Sequence, residues 1–277
     1  MHNPVNQALG EPQLSEPPTS LSTVPITGLE RAVEIPWDSA MAKSRGIFGF
    51  DSMDARSRSF NLIRARLIEL QVKRGWRMIG VVSATPNVGK SFISANVAAA
   101  LSRDPRYQTS VVDLDLRRGS LSGFFGLVPE NGVRDYLAGV SGANAPDTYR
   151  LEGERLLIIP TTSGRTHSAE LLASERAQTL LRSMRVSDEK NLFICDLPPV
   201  FANDDAATVM ARLDAYIVVA EEGKTKQREV TDAVGLLGEA RLAGVILNKY
   251  RGGVLSEGYG VDDYYAVGYG TAEPTSK

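Results

Sequence analysis

Nine residues, Ser-Ala-Thr-Pro-Asn-Val-Gly-Lys-Ser at positions 83–91, have the residue types of a phosphate-binding loop. Gly89 has no Cβ, so the backbone there can approach an anion closely. Lys90 supplies a cation for β- and γ-phosphates, and the Ser91 hydroxyl supplies an oxygen for Mg2+. Backbone N–H groups of a loop that opens a helix converge on such an anion, and the helix dipole favours negative charge there. Thr85, Pro86, Asn87, Val88, Gly89, Lys90, Ser91 and Phe92 are therefore expected to surround the phosphates. Ala84 stands where the strict motif has its first glycine, so the context carries more of the argument than the spacing does.

Two other stretches carry carboxylates suited to the same chemistry. Val111-Val112-Asp113-Leu114-Asp115 and Phe193-Ile194-Cys195-Asp196 both end an apolar run in aspartate. Mg2+ in nucleotide sites takes one or two carboxylates, with phosphate oxygens and waters completing its shell. Asp196 is the natural metal-side group. Asp113 and Asp115 alternate across a strand end, so one can face the metal and the other an attacking group. A lone aspartate is more often a cap or turn residue, and Asn203, Asp204 and Asp205 read as the cap of a helix. Three carboxylates at two strand ends beside a phosphate loop instead point to Mg2+–nucleotide chemistry. Cys195 reads as a small buried residue, and His2 and His167 receive no role.

Elements of a particular kind must hold these groups together. Apolar runs at 78–83, 109–114, 155–160, 191–196, 214–220 and 242–247 alternate with helical patterns at 89–103, 131–139, 168–186, 203–212 and 226–240. Nearly all-apolar strands separated by helices predict an α/β fold, a mainly parallel sheet flanked by helices on both faces. Ligands bind such sheets at the carboxyl ends of the strands, which is where the loop and the aspartates fall. A further helix is expected over 54–72, with Phe60, Ile63, Leu67 and Leu70 on one stripe. Residues 1–50 hold six prolines among polar residues and no sustained period, and predict a disordered Pro-rich arm in which Ile35-Pro36-Trp37 reads as linker. Residues 252–277 are rich in Gly and Tyr and predict a flexible tail.

The 277 residues suffice for one large α/β domain, here 51–251, with tails. A net charge of −2 gives no electrostatic case for nucleic acid. One cysteine excludes an internal disulfide and fits a reducing compartment. No apolar run approaches the length of a membrane span, and the first residues lack the basic and apolar regions of a signal peptide. The expected location is cytoplasmic, with any attachment at the inner membrane running through a partner.

Taken with Val111-Val-Asp-Leu-Asp-Leu-Arg-Arg118 and Phe193-Ile-Cys-Asp-Leu-Pro-Pro199, the loop resembles the Walker A, A′ and B set of the bacterial tyrosine kinases, phosphate-loop NTPases of polysaccharide export. Glu170–Ser174 and Gly244–Lys249 also look like segments of that family. The resemblance covers roughly residues 58–251, with a matching tail. It implies an ATP- and Mg2+-dependent tyrosine autokinase of exopolysaccharide or capsule biosynthesis, modifying Tyr259, Tyr264, Tyr265 and Tyr269 mostly between subunits. Under it Lys90, Asp113, Asp115 and Asp196 are catalytic, Ser91, Asp115 and Asp196 hold the metal, Asp113 accepts the tyrosine proton and Asn248 contacts the adenine. Implied partners are a transmembrane co-polymerase or activator, further copies of the chain and a cognate tyrosine phosphatase. The partitioning and division-site ATPases share the fold but carry a lysine at the position of Thr85. The family's Glu-x-x-Arg-x-x-Arg helix, which joins subunits in a ring, aligns with Arg58, Asn61 and Arg64, and only the last arginine matches. The alternative is a nucleotide-binding scaffold of the export machinery that transfers nothing to tyrosine.

Overall fold

A computed structural model of the chain describes residues 32–140, 144–164 and 167–250. Eight strands form one sheet in the order β1-β4-β5-β3-β6-β2-β7-β8. They are β1 (Val33–Ile35), β2 (Met78–Ser83), β3 (Gln108–Asp113), β4 (Tyr149–Leu151), β5 (Leu156–Ile159), β6 (Asn191–Asp196), β7 (Ala215–Glu221) and β8 (Leu242–Asn248). Neighbours from β5 to β8 pair in parallel, while β4 runs antiparallel to β5 and β1 parallel to β4. The six apolar runs read from the sequence are the six parallel strands. β1, at one edge, and β4 beside it are three residues each, too short for an alternation to register.

The helices are α1 (Ser39–Ser44), α2 (Arg58–Arg74), α3 (Lys90–Ser102), α4 (Leu121–Phe125), α5 (Val133–Ala138), α6 (Ser168–Ala173), α7 (Glu175–Val186), α8 (Asp205–Met210) and α9 (Gln227–Leu237). Alternate strand residues feed two cores. Ile79, Val81, Ile194, Ile217 and Val219 pack with α2, α3 and α4 on one face. Met78, Val82, Phe193, Cys195, Tyr216 and Val218 pack with α5 to α9 on the other. This period-two division explains why each central strand is apolar at nearly every position. The helix expected over 168–186 breaks at Ser174, whose backbone is extended and whose Oγ accepts the Ala177 N–H at 3.2 Å to start α7.

Of the arm expected over 1–50, residues 32–50 instead dock on the domain, and residues 1–31 lie outside the described residues. β1 extends the sheet. Trp37, read as linker, is 9% exposed and meets the Phe50 and Phe125 rings at 6.1 and 5.9 Å. The Phe48 and Gly49 N–H groups donate to Asn96 Oδ1 on α3 at 2.7 and 3.1 Å. The burial of one large aromatic and two backbone bonds to a helix outweigh the polar composition that suggested an unfolded segment. A Cβ at Gly49 would lie 2.2 Å from the Asn96 carbonyl oxygen and 2.8 Å from the Ala100 nitrogen. Gly49→Ala is accordingly expected to cost about 2–3 kcal/mol, read as a lower urea midpoint. An unchanged midpoint would show that the segment does not dock in solution. The expected tail, 252–277, lies outside the described residues.

Candidate nucleotide site

The loop leaves β2 at the centre of the sheet and enters α3. Asn87 and Gly89 have positive φ, 68° and 89°, the second a conformation for which glycine is suited. Ala84, in place of the usual glycine, is 1% exposed and belongs to the second core, so its methyl group packs inward and does not obstruct the loop. Val88 is also buried, so its side chain faces the core.

Asp196 organises the floor. It lies opposite Asp113 in the parallel register of β3 and β6. Its Oδ1 accepts from Lys90 Nζ at 2.7 Å and from Ser94 Oγ at 2.8 Å, and its Oδ2 accepts from Ser91 Oγ at 2.6 Å. Lys90 Nζ also stands 3.6 Å from Asp115 Oδ2. Lys90, Ser91 and Ser94 share one face of the first turn of α3, because residues three and four apart are neighbours on a helix. Ser94 did not stand out in the sequence. Its i+4 spacing from Lys90 is the signal that could have found it.

The two β3 aspartates differ. Asp113 is fully buried, and its oxygens accept the N–H groups of Asp115 and Leu121, both at 3.1 Å. Burial, then the charge of Asp196, raise its pKa well above the ordinary carboxylate range, against the opposing pull of Lys90. Asp115 borders the cleft, and burial raises its pKa too, with Lys90 opposing.

Above this floor is a cleft of about 260 Å3, bordered by Pro86, Asn87, Gly89, Lys90, Ser91 and Phe92 from the loop. Thr85, Val88 and Asn248 do not line it. Asn248 instead donates through Nδ2 to the Val88 carbonyl at 2.7 Å. Lys249, which sequence reasoning passed over, borders the cleft, donates to the Asn87 carbonyl at 2.9 Å and pairs with Glu221 at 3.1 Å. Arg118, quoted in the second motif but given no role, borders it and donates to Asn87 Oδ1 at 2.6 Å. The donor set fits a nucleotide with Mg2+. A loop of backbone N–H groups, a lysine and an arginine face anionic oxygens, and a hydroxyl with carboxylates supplies the hard oxygen ligands that Mg2+ takes.

Cys195 is fully buried beside Asp196, and burial pushes its thiol pKa far up. Native protein is therefore expected to resist a thiol-specific reagent equally at pH 7 and pH 9 and to react only when unfolded. Fast labelling of the native chain would contradict this geometry.

A family model described as the CobQ/CobB/MinD/ParA nucleotide binding domain matches residues 79–264. EpsB of Ralstonia nicotianae, whose name assigns it provisionally to the tyrosine-protein kinases, is 28% identical over 289 aligned positions, covering all of this chain and 37% of its own. The succinoglycan biosynthesis transport protein ExoP of Rhizobium meliloti is 31% identical over 179 positions, 62% of this chain and 22% of its own. The chain thus spans well under half the length of both relatives. Among solved structures, the kinase domain of the Escherichia coli tyrosine kinase Etk superposes with a TM-score of 0.65 at 25% identity, over 80% of this chain and 91% of that one. With the phosphate loop, its aspartate floor and the parallel sheet that holds them, the chain belongs to the CobQ/CobB/MinD/ParA nucleotide-binding domain family and carries the fold of the bacterial tyrosine kinase domains within it.

Proposed function

We propose that this chain is an ATP- and Mg2+-dependent protein tyrosine autokinase that regulates polysaccharide biosynthesis and export, with its own C-terminal tyrosines as acceptors. The observation that carries the reading is the Asp196 carboxylate holding Lys90 and Ser91 together beneath the loop. That arrangement serves metal-assisted phosphoryl transfer, and the relatives it resembles bear kinase names. Ser91, Asp115 and Asp196 would hold Mg2+, which would supply charge neutralisation for the transferring phosphoryl group.

The protein's own part is positioning and electrostatics. Lys90 and the loop N–H groups bind the phosphates, and Arg118 closes the rim. Asp115, at the cleft, is placed to orient the incoming tyrosine hydroxyl. Asp113 is the proton acceptor that the family resemblance implies; it is fully buried beneath the cleft, and its oxygens accept the Asp115 and Leu121 N–H groups. Asn248 is the proposed adenine contact; its Nδ2 donates to the Val88 carbonyl, which keeps the side chain beside the phosphate loop.

Tyr259, Tyr264, Tyr265 and Tyr269 begin eleven residues beyond the last strand. The dozen or so residues from Arg251 to Tyr264 would span roughly 20 Å as a Gly-rich coil, enough to serve a neighbouring subunit. Each phosphotyrosine adds about −1.5 to −2 charges, which in an already acidic segment opposes close packing of copies. Assembly through α2 would differ from the ring described for the family. Asn61 is used within the subunit, where it accepts from Arg103 and donates to the Ser52 carbonyl at 3.3 Å. Among the described residues no helix is long and apolar enough to cross a membrane, and the reading places the chain at the inner face of the membrane through a transmembrane activator, with a cognate phosphatase to reset it.

The test is incubation of the full chain with Mg2+-ATP, with and without membranes carrying a transmembrane activator, followed by mass spectrometry of the tail. Phosphotyrosine at 259–269 is expected. Nucleotide binding without phosphotyrosine under either condition would instead favour a scaffold that works by nucleotide-dependent association, the behaviour of other branches of this family.

A further inference from the structure

Beside the nucleotide floor lies a buried network that the proposed chemistry does not use. Asp205, the first residue of α8, is 1% exposed. Its Oδ2 accepts from Ser168 Oγ and from Asn203 Nδ2, each at 2.6 Å. Its Oδ1 and the neighbouring Asn203 Oδ1 have no hydrogen-bond partner among the described residues. The helix-cap reading of this triplet does not hold, because Asp204, at the cap position, makes no side-chain cap bond and Asp205 points into the network. A buried carboxylate with one unmet oxygen is costly unless a cation stands close. That cation is Arg117, whose Nε lies 3.8 Å from Asp205 Oδ2 and donates to Ser168 Oγ at 2.9 Å.

Arg117 is thereby fixed at its base and open at its tip. Its side chain is 52% exposed. Its two Nη groups make no hydrogen bond to the described residues. A guanidinium held through Nε keeps the planar Nη edge for a bidentate acceptor, and the rotamer entropy of the side chain has already been given up. Arg117 follows Asp115 by two residues, so their Cα atoms are at most about 7 Å apart. In the tail, Asp262 and Asp263 precede Tyr264 by two residues and by one, so an extended peptide spans the same distance.

We propose that Arg117, anchored by Ser168 and Asp205, is the anion-binding residue of an acceptor subsite, taking the acidic side chains just before Tyr264 while that tyrosine lies at Asp115. This deepens the kinase reading and rests on it for the identity of the ligand. Arg117 binds the peptide, whereas Ser168 and Asp205 act through it as positioning residues.

The test is a binding measurement, so it does not depend on phosphoryl transfer. The host is the full chain carrying Asp262→Asn and Asp263→Asn, which removes its own acidic pair from Arg117 and leaves any remaining competition from its tail equal for both peptides. A fluorescent peptide of residues 255–270 is titrated by anisotropy in Mg2+-ADP, and so is a neutral counterpart carrying the same two substitutions. The native peptide is expected to bind about fivefold more tightly than the neutral one at low salt. Arg117→Ala should erase that difference while leaving Mg2+-ADP affinity unchanged. Ser168→Ala should reduce it, and Ser168→Thr should largely restore it. Equal binding of both peptides to the host that retains Arg117 overturns the proposal, as does discrimination that survives in Arg117→Ala. Discrimination that requires Arg117 in a chain that never forms phosphotyrosine would support the subsite and overturn only the kinase reading.

Discussion

Lys90→Met is expected to abolish nucleotide binding and, in the same step, to lower the stability of the fold by about 3–5 kcal/mol. The lysine is 7% exposed and lies 2.7 Å from one carboxylate and 3.6 Å from another. With Asp113 opposite Asp196 in register, its removal leaves three buried acidic groups without the ammonium that meets them. The sign of the pH dependence follows. Asp113 and Asp115 have folded pKa values raised above their unfolded ones. The native state therefore holds more protons than the unfolded chain across the interval between those values, and stability falls as pH rises through it. Removing the lysine lifts the folded values further and extends that fall to higher pH. Urea unfolding of the variant should accordingly approach wild type at pH 5 and diverge from it at pH 8. Adding Asp196→Asn should recover much of the lost stability and none of the nucleotide binding. A variant as stable as wild type at pH 8 would rule this account out. Loss of activity in Lys90→Met alone therefore says little about the transfer step until its folding has been measured.

Gly89→Ala should reduce affinity for Mg2+-ADP by about a hundredfold, through two separable effects. A φ of 89° is a conformation that costs an L-residue about 1 kcal/mol or more. The new methyl carbon would also sit 2.2 Å from Asn248 Nδ2, displacing the amide that holds the Val88 carbonyl. The double variant Gly89→Ala/Asn248→Ala removes the collision and keeps the backbone cost, so part of the stability should return while nucleotide affinity stays low. Fluorescent ADP titration and thermal melts on the two variants distinguish the terms. Affinity within threefold of wild type in the single variant would mean that the loop does not need this geometry.

The central sheet was legible in the sequence because burial on both faces leaves strands with almost no polar residue, and that pattern survives without knowledge of neighbours. The floor of the site was legible for a related reason, since Asp113 and Asp196 end such strands and only strand ends tolerate them. Other parts depend on contacts distant in sequence. Trp37 is buried because Phe125 and Phe50 receive it, and nothing near Pro36 announces that. Ser174 divides a helical pattern that is apolar on the correct face on both sides of it. Asp205 has the appearance of a cap, and only the approach of Ser168 and Arg117 from elsewhere in the chain turns it inward. Asn61, at a position where the family's ring helix has arginine, bonds to Arg103 and Ser52 and is committed within its own subunit.

The last strand has a consequence for how the tail is governed. Asn248 and Lys249 grip successive carbonyls of the phosphate loop, and Lys249 does so at a φ of 58°. The chain then runs directly on to the tyrosines. The root of the tail and the rim of the nucleotide cleft are thus one mechanical joint. The same two residues are tied to β7, where the Asn248 carbonyl accepts the Glu222 N–H at 3.1 Å and Lys249 pairs with Glu221 at 3.1 Å, so this joint couples the phosphate loop to the end of β7 as well.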